Sequence, residues 1–219
     1  MNLSVSEENY IKSIYHLQLQ SDKVTTNELA KALSTKAASV TDMLKKLQKK
    51  KLIRYKKYYG FNLNEKGNRM ALEIIRRHRL WEYFLVFKLG FEWDKVHTIA
   101  EEMEHVSSPE LIKKLDAFLD HPTTDPHGDP IPDKNGDVPV IRQINLYGLE
   151  AKQQAVISSV SNQSAQMLEV LKHLEISIGA YIKVIKIFDF DSSVEVKIGK
   201  QQPCILSEQV AKNIFVYHD

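Results

Sequence analysis

Cysteine is almost absent: Cys204 is the single thiol in 219 residues. One thiol excludes an internal disulfide framework and any all-thiolate metal cage. Long apolar runs are also missing, and none approaches the roughly 20 residues that a membrane-spanning helix needs. The opening MNLSVSEENY has neither the basic start nor the apolar core of a secretory leader. Together these absences point to a soluble protein of a reducing cytoplasm, with no membrane partner. There is no His-Glu-x-x-His helix, no nucleophile elbow and no glycine-rich phosphate loop, which leaves little to support a hydrolase. Internal repeats and low-complexity segments are absent as well.

The composition is otherwise ordinary for a globular chain, with 43% hydrophobic and 26% charged residues. The net charge of +2 conceals an asymmetry. Residues 1–80 carry 17 Lys/Arg against 7 Asp/Glu, whereas residues 81–219 carry 13 against 21. A basic first third on an acidic remainder suggests a polyanion-binding module joined to something else.

The basic part has the pattern of a winged helix-turn-helix. Ser4-x-x-Glu7 and Thr25-x-x-Glu28 are capping boxes that open two helices. A third helix carries Val40, Met43, Leu44 and Leu47 at the spacing of a buried stripe. Leu52–Tyr55 and Phe61–Leu63 then flank Lys56-Lys57-Tyr58-Tyr59-Gly60, a hairpin with a basic, aromatic tip. In such a module the third helix enters the major groove. Lys36, Ala37, Ala38, Ser39, Thr41 and Asp42 at its start are expected to face base edges. Thr26, Lys45, Lys46, Lys49, Lys50, Lys51, Arg54, Lys56 and Lys57 are expected to face the backbone of double-stranded DNA.

Asn64 caps a long predicted helix, residues 65–88, suited to connecting domains and forming a dimer interface. Further helices are predicted over 94–105 and from Ser108-Pro109 onward. Residues 121–139, rich in Pro, Gly and Asp, read as a loop and not as a packed element. Residues 140–153 are ambiguous. Strands are predicted over 155–160, 181–188, 194–198 and 215–217, with helices near 165–174 and 207–213. The expected class is α+β. It comprises a winged helix-turn-helix domain (1–73), an all-α dimerisation and metal-binding domain (74–140) and an SH3-like small β-barrel (150–219).

The chemistry concentrates in Glu101-x-x-Glu104-His105, which share one helical face. His97 extends that face by a turn, and His78 and Glu82 form an i, i+4 pair on the preceding helix. Clustered carboxylates repel unless a cation neutralises them. Mixed oxygen and nitrogen donors suit Mn(II), Fe(II), Co(II), Ni(II) or Zn(II), and six ligands suffice for two centres. The loop adds Asp125 and His127.

Five patches make the chain resemble the diphtheria-toxin-repressor family of iron- and manganese-dependent regulators. They are Glu8-Asn-Tyr-Ile-Lys-Ser-Ile-Tyr15, Arg77-His-Arg-Leu80 followed by Glu82, Lys95-Val-His97, Glu101-x-x-Glu-His105 and Gly128-x-Pro-Ile-Pro132. The resemblance implies a homodimer that represses metal-homeostasis genes by binding a palindromic operator when Mn(II) or Fe(II) is bound. His78, Glu101, Glu104 and His105 match one ligand set. Glu101 stands where iron-type members carry Cys, and a carboxylate is the harder ligand, which favours manganese. Glu82 and His97 match an ancillary site, while Asp125 and His127 match a second site shared with Glu82. Asn9 stands where the family offers Met or Asp, and Lys12 where one manganese branch has Glu. Ser158 and Ser161, near Asn162 and Gln163, stand where the barrel supplies ligands in relatives. Two competing readings are a winged-helix regulator of an organic ligand and a metal-dependent hydrolase.

Overall fold

The structure, a computed structural model, describes residues 3–21, 23–56, 60–106, 108–161 and 163–217, apart from the side chains of residues 56 and 106. The chain divides into two compact units. The first holds Met1–His78, Glu101–Lys113 and Pro132–Asp137, and the second holds Arg79–Ala100, Lys114–Ile131 and Val138–Asp219.

In the first unit, α1 (Val5–Gln20) starts at Ser4 and α2 (Thr26–Ala32) starts at Thr25. Both begin with a reciprocal capping box, so each first turn has its orphan N–H groups satisfied by sequence-local bonds. α3 (Ala37–Lys49) follows a short turn and buries Val40, Leu44 and Leu47. These pack with Ile11 and Ile14 of α1 and Leu29 of α2. The wing is antiparallel, with β1 (Ile53–Lys56) on β2 (Gly60–Leu63) and Ile53 opposite Leu63. The wing tip, Lys57 to Tyr59, lies outside the described residues. Asn64 accepts from the Gly67 N–H at 3.0 Å and so caps α4 (Glu65–Phe87). Parts of α5 (Val96–Val106) and α6 (Pro109–Phe118) complete this unit.

The second unit is dominated by an antiparallel sheet of small-barrel type. Its strands are β3 (Gln143–Asn145), β4 (Gln154–Val160), β5 (Tyr181–Ile187), β6 (Val194–Ile198), β7 (Cys204–Leu206) and β8 (Ile214–Tyr217). Their spatial order is β3-β8-β4-β5-β6-β7. β4 pairs with β5 through its first half and with β8 through its second, and a register shift between Ile157 and Ser159 marks the bend. α7 (Ala165–His173) lays Leu168 and Leu171 on a core of Ile157, Ile182, Val184, Val196 and Val216. α8 (Glu208–Ala211) precedes β8. The sequence pattern did not reveal β3 and β7, because three residues are too few to show an alternation.

One expectation is overturned. The segment 121–139, read as unpacked loop, is partly interior: Asp125, Pro126, His127 and Gly128 are all buried. The loop closes on itself through the Asp125 N–H to the Asp129 carbonyl, 2.9 Å, and the Gly128 N–H to the Asp125 carbonyl, 3.1 Å. β4 fastens it, since the Val160 N–H donates to the His127 carbonyl at 3.1 Å. Gly128 sits at φ +86°, where a Cβ would fall 1.9 Å from the Ser158 carbonyl oxygen. Only glycine permits that approach.

Gly128→Ala therefore both strains the backbone and forces the loop off β4. We expect a loss of about 2–3 kcal/mol in urea unfolding, together with loss of the His127 position described below.

Candidate metal centres and nucleic-acid interface

The structure sorts the predicted ligands into two clusters, one within each unit. In the first, Glu104 is fully buried. Its Oε2 lies 2.6 Å from His78 Nδ1 and its Oε1 lies 2.7 Å from Lys12 Nζ. Glu101 Oε1 is 3.3 Å from the same ammonium. His105 Nδ1 lies 2.6 Å from Glu8 Oε2, and Glu8 Oε1 accepts from Arg77 Nη2 at 2.8 Å. Burial pushes the Glu104 pKa up, but the His78 hydrogen bond and the Lys12 charge outweigh it, and the net shift is downward. Glu104 is therefore a carboxylate.

The residues that α1 offers to this cluster are Glu8 and Lys12. Asn9, the position matched from the family, is half-buried, and no bond from it to this cluster is described. Glu8 and Lys12 stand at i, i+4 and share a face, a spacing that could have identified them together. Arg77 was also missed as a partner.

The second cluster gathers Glu82, Asp125 and His127, with one donor atom from each lying within 4.8 Å of the others. All three residues are buried. His127 Nε2 is 3.0 Å from the Trp93 carbonyl, which can only accept, so Nε2 carries a proton. Nδ1 is left pointing toward Glu82, 3.8 Å from its Oε2, and has no hydrogen-bond partner among the described residues. An imidazole held at one nitrogen by a carbonyl, with the other nitrogen facing carboxylates, is the arrangement of a metal-ligating histidine. The donor set therefore fits a divalent cation. Glu82 Oε1 also lies 3.2 Å from His97 Nδ1, whose side chain is 48% exposed.

Asp125 is pre-set by its own loop. Its Oδ1 accepts from the His127 and Asp129 N–H groups, at 2.8 and 3.0 Å. Burial, followed by repulsion from Asp129 and Glu82, pushes its pKa up to about 7. Burial disfavours the His127 cation, yet the Glu82 and Asp125 carboxylates overcome it and raise its pKa. Arg79 braces the loop through Asp129 Oδ2 at 3.0 Å, and Gln163 of the barrel reaches the same oxygen at 3.0 Å. Ser158 donates to Gln143 and Ser161 to Asn213, each at 2.8 Å, so these hydroxyls are already engaged. Asn162 lies outside the described residues.

On the first unit, Lys36, Ala37, Ala38, Ser39, Thr41, Asp42, Lys45, Lys46 and Lys49 are exposed, and Thr26 is half-buried. The Thr41 hydroxyl donates back to the Ala37 carbonyl at 3.0 Å, and Asp42 pairs with Lys45 at 3.1 Å. Lys50 departs from the expected phosphate-facing row. It is half-buried, and its Nζ lies 2.6 Å from Glu7 Oε1. The side chain of Lys56, and Lys57 altogether, lie outside the described residues.

One chain thus combines a winged helix, two carboxylate–histidine clusters and a small β-barrel. Family models agree along the chain. Residues 2–61 match the iron-dependent repressor N-terminal DNA-binding domain, residues 64–133 its metal-binding and dimerisation domain, and residues 144–218 the FeoA domain. Among curated relatives, the iron-dependent repressor IdeR of Mycobacterium tuberculosis is 33% identical over 125 residues, 57% of this chain and 54% of that one. The match thus spans about half the length of that relative. A helix-turn-helix regulator of Methanocaldococcus jannaschii is 34% identical over 119 residues, covering 54% of this chain and 95% of its own. Among solved structures, a manganese-dependent transcriptional repressor in complex with manganese superposes with a TM-score of 0.87 at 33% identity. The superposition covers 96% of this chain and 99% of that one. ScaR with bound Cd2+ gives 0.82 at 29% identity, over 97% and 99%. The chain belongs to the iron-dependent, or diphtheria-toxin, repressor family.

The second cluster carries a pH signature. Below about pH 7 the metal-free site holds a proton on Asp125 that a cation has to displace, and the upward shift of His127 favours a proton there too. Metal affinity should fall as pH drops through 7, with more protons released per metal at pH 6 than at pH 8. Calorimetry in buffers of different ionisation enthalpy measures that number. An equal count at both pH values would contradict the assignment.

Proposed function

We propose that this protein is a metal-dependent transcriptional repressor of metal-homeostasis genes. In this reading it acts in the cytoplasm as a homodimer on a palindromic operator, with Mn(II) or Fe(II) as effector. The observation that carries it is the buried Glu82–Asp125–His127 cluster, with His127 Nδ1 unpartnered among the described residues, in a chain that also folds a winged helix. The relatives named above are repressors and not enzymes, which sets the hydrolase reading aside. The absence of a thiolate at position 101 favours manganese.

The residues that would hold metal are Glu82, Asp125 and His127, with His97 beside Glu82, and separately His78, Glu101, Glu104 and His105. When bound, the ion supplies positive charge and a fixed donor geometry. The rest of the work falls to the chain. Glu8 ties α1 to α5 through His105, and an ion on the ligands of α5 would hold these two helices at one orientation. In a dimer, two recognition helices held ~34 Å apart meet successive major grooves on one face of the duplex. Without that constraint the module samples other orientations, and affinity falls through population shift. Small side chains at Ala37, Ala38 and Ser39 allow close approach to base edges, while Thr26, Lys45 and Lys46 are the candidates for backbone contact.

Fluorescence anisotropy of metal-stripped protein on its own upstream DNA tests the reading. Mn(II) or anaerobic Fe(II) should tighten binding at least about tenfold, a typical allosteric coupling, and His127→Ala should lose the response. Equal affinity with and without metal would refute the sensing role. Lys45→Ala and Lys46→Ala should each weaken binding alike on specific and random DNA. Each should also lower the salt slope by about 1.

A further inference from the structure

Lys12 is the residue that the metal-dependent reading leaves without a task. Lysine cannot ligate while protonated, and a carboxylate would have served a metal there. Yet its side chain is only 13% exposed, and its ammonium lies 2.7 Å from Glu104 Oε1 and 3.3 Å from Glu101 Oε1. The remaining Glu104 oxygen is engaged by His78. Two carboxylates three residues apart on α5 are thus already bridged by a cation that is covalently part of α1. The oxygens that a divalent ion needs are the oxygens that Lys12 holds.

The second cluster is held by looser competitors: Arg79 Nε is 3.6 Å from Asp125 Oδ2 and His97 Nδ1 is 3.2 Å from Glu82 Oε1. The guanidinium is directed instead to Asp129 Oδ2 and the Pro130 carbonyl, at 3.0 and 2.5 Å. His127 Nδ1 has no hydrogen-bond partner among the described residues and lies 3.8 Å from Glu82 Oε2. A metal entering the first cluster has to displace an ammonium group tethered at short range, which competes at high effective concentration.

We propose that Lys12 is a built-in cation of the first cluster, holding α1 to α5 in the absence of metal and making that cluster the weaker of two metal sites. Glu82–Asp125–His127 fills first, and Glu101–Glu104 accepts an ion only by expelling the Lys12 ammonium. The separation between the two steps is set by one residue of α1. This rests on the metal-dependent reading and adds to it the order of filling and the group that imposes it.

The test uses the full-length protein and Mn(II) alone, with free Mn(II) followed by its electron paramagnetic resonance signal. Wild type should show one tight and one weaker class of site, and His127→Ala should lose the tight class. In Lys12→Met the weaker class should tighten tenfold or more while the tight class is unchanged. Lys12→Arg, which keeps the charge, should retain the separation. Thermal unfolding gives a second readout: without metal Lys12→Met should melt below wild type, and Mn(II) should raise its Tm by more. If Lys12→Met does not fold, Lys12→Gln carries the same expectations. A weaker class unchanged or lost in the neutral variant, with the tight class intact, overturns this inference alone. A wild type that binds no Mn(II) overturns the metal-dependent reading itself.

Discussion

A carboxylate sealed from water needs a counter-charge, and Glu104 is the point from which the first unit is organised. Its side chain has no exposure, and an unpaired buried charge would cost several kcal/mol. The structure answers from two directions, with His78 of α4 on one oxygen and Lys12 of α1 on the other. Three helices distant in sequence are thereby held to one group. His105 and Glu8 add a parallel strut, itself fixed by Arg77. A buried ionic network of this kind favours one arrangement of helices.

The second cluster solves a similar problem with different parts. Its loop has few apolar side chains to hold it, so backbone and carboxylate bonds do so. Asp125 organises the turn, Val160 holds the His127 carbonyl, and the Trp93 carbonyl holds the imidazole. Trp93 also stacks on the ring, with centroids 5.6 Å apart and planes at 22°. The Ser158 and Ser161 hydroxyls are engaged within the barrel, which contributes the surface that fixes the loop and, through Gln163, a hold on Asp129.

What was legible in the sequence is what short-range rules encode. The boxes at Ser4 and Thr25, the Asn64 cap and the stripe of α3 are local, and each appears in the structure. So do the longer strands, whose buried β-branched residues alternate with more exposed positions. Less legible was anything set by contact across the fold. Whether residue 8 or residue 9 turns toward α5 depends on about 100° of helix rotation, which only packing decides. Lys12 read as a broken ligand because its partners lie 89 and 92 positions away. The loop at 125–129 read as solvent-facing because Pro, Gly and Asp also make buried turns when their backbone bonds are satisfied. A signal was present there: Asp125 with Gly128 three residues on is the signature of a turn that folds over its own first side chain.

Glu7 gives α1 a property that its other contacts do not. Its carboxylate closes the capping box at Ser4, 2.8 Å from that N–H, and also holds Lys50 just beyond the end of α3, at 2.6 Å. Glu7 and Glu8 are successive residues of one helix turn, so the bond that fastens α1 beside the end of α3 adjoins the bond that fastens it to His105. One turn of α1 thus anchors both the segment that ends α3 and His105.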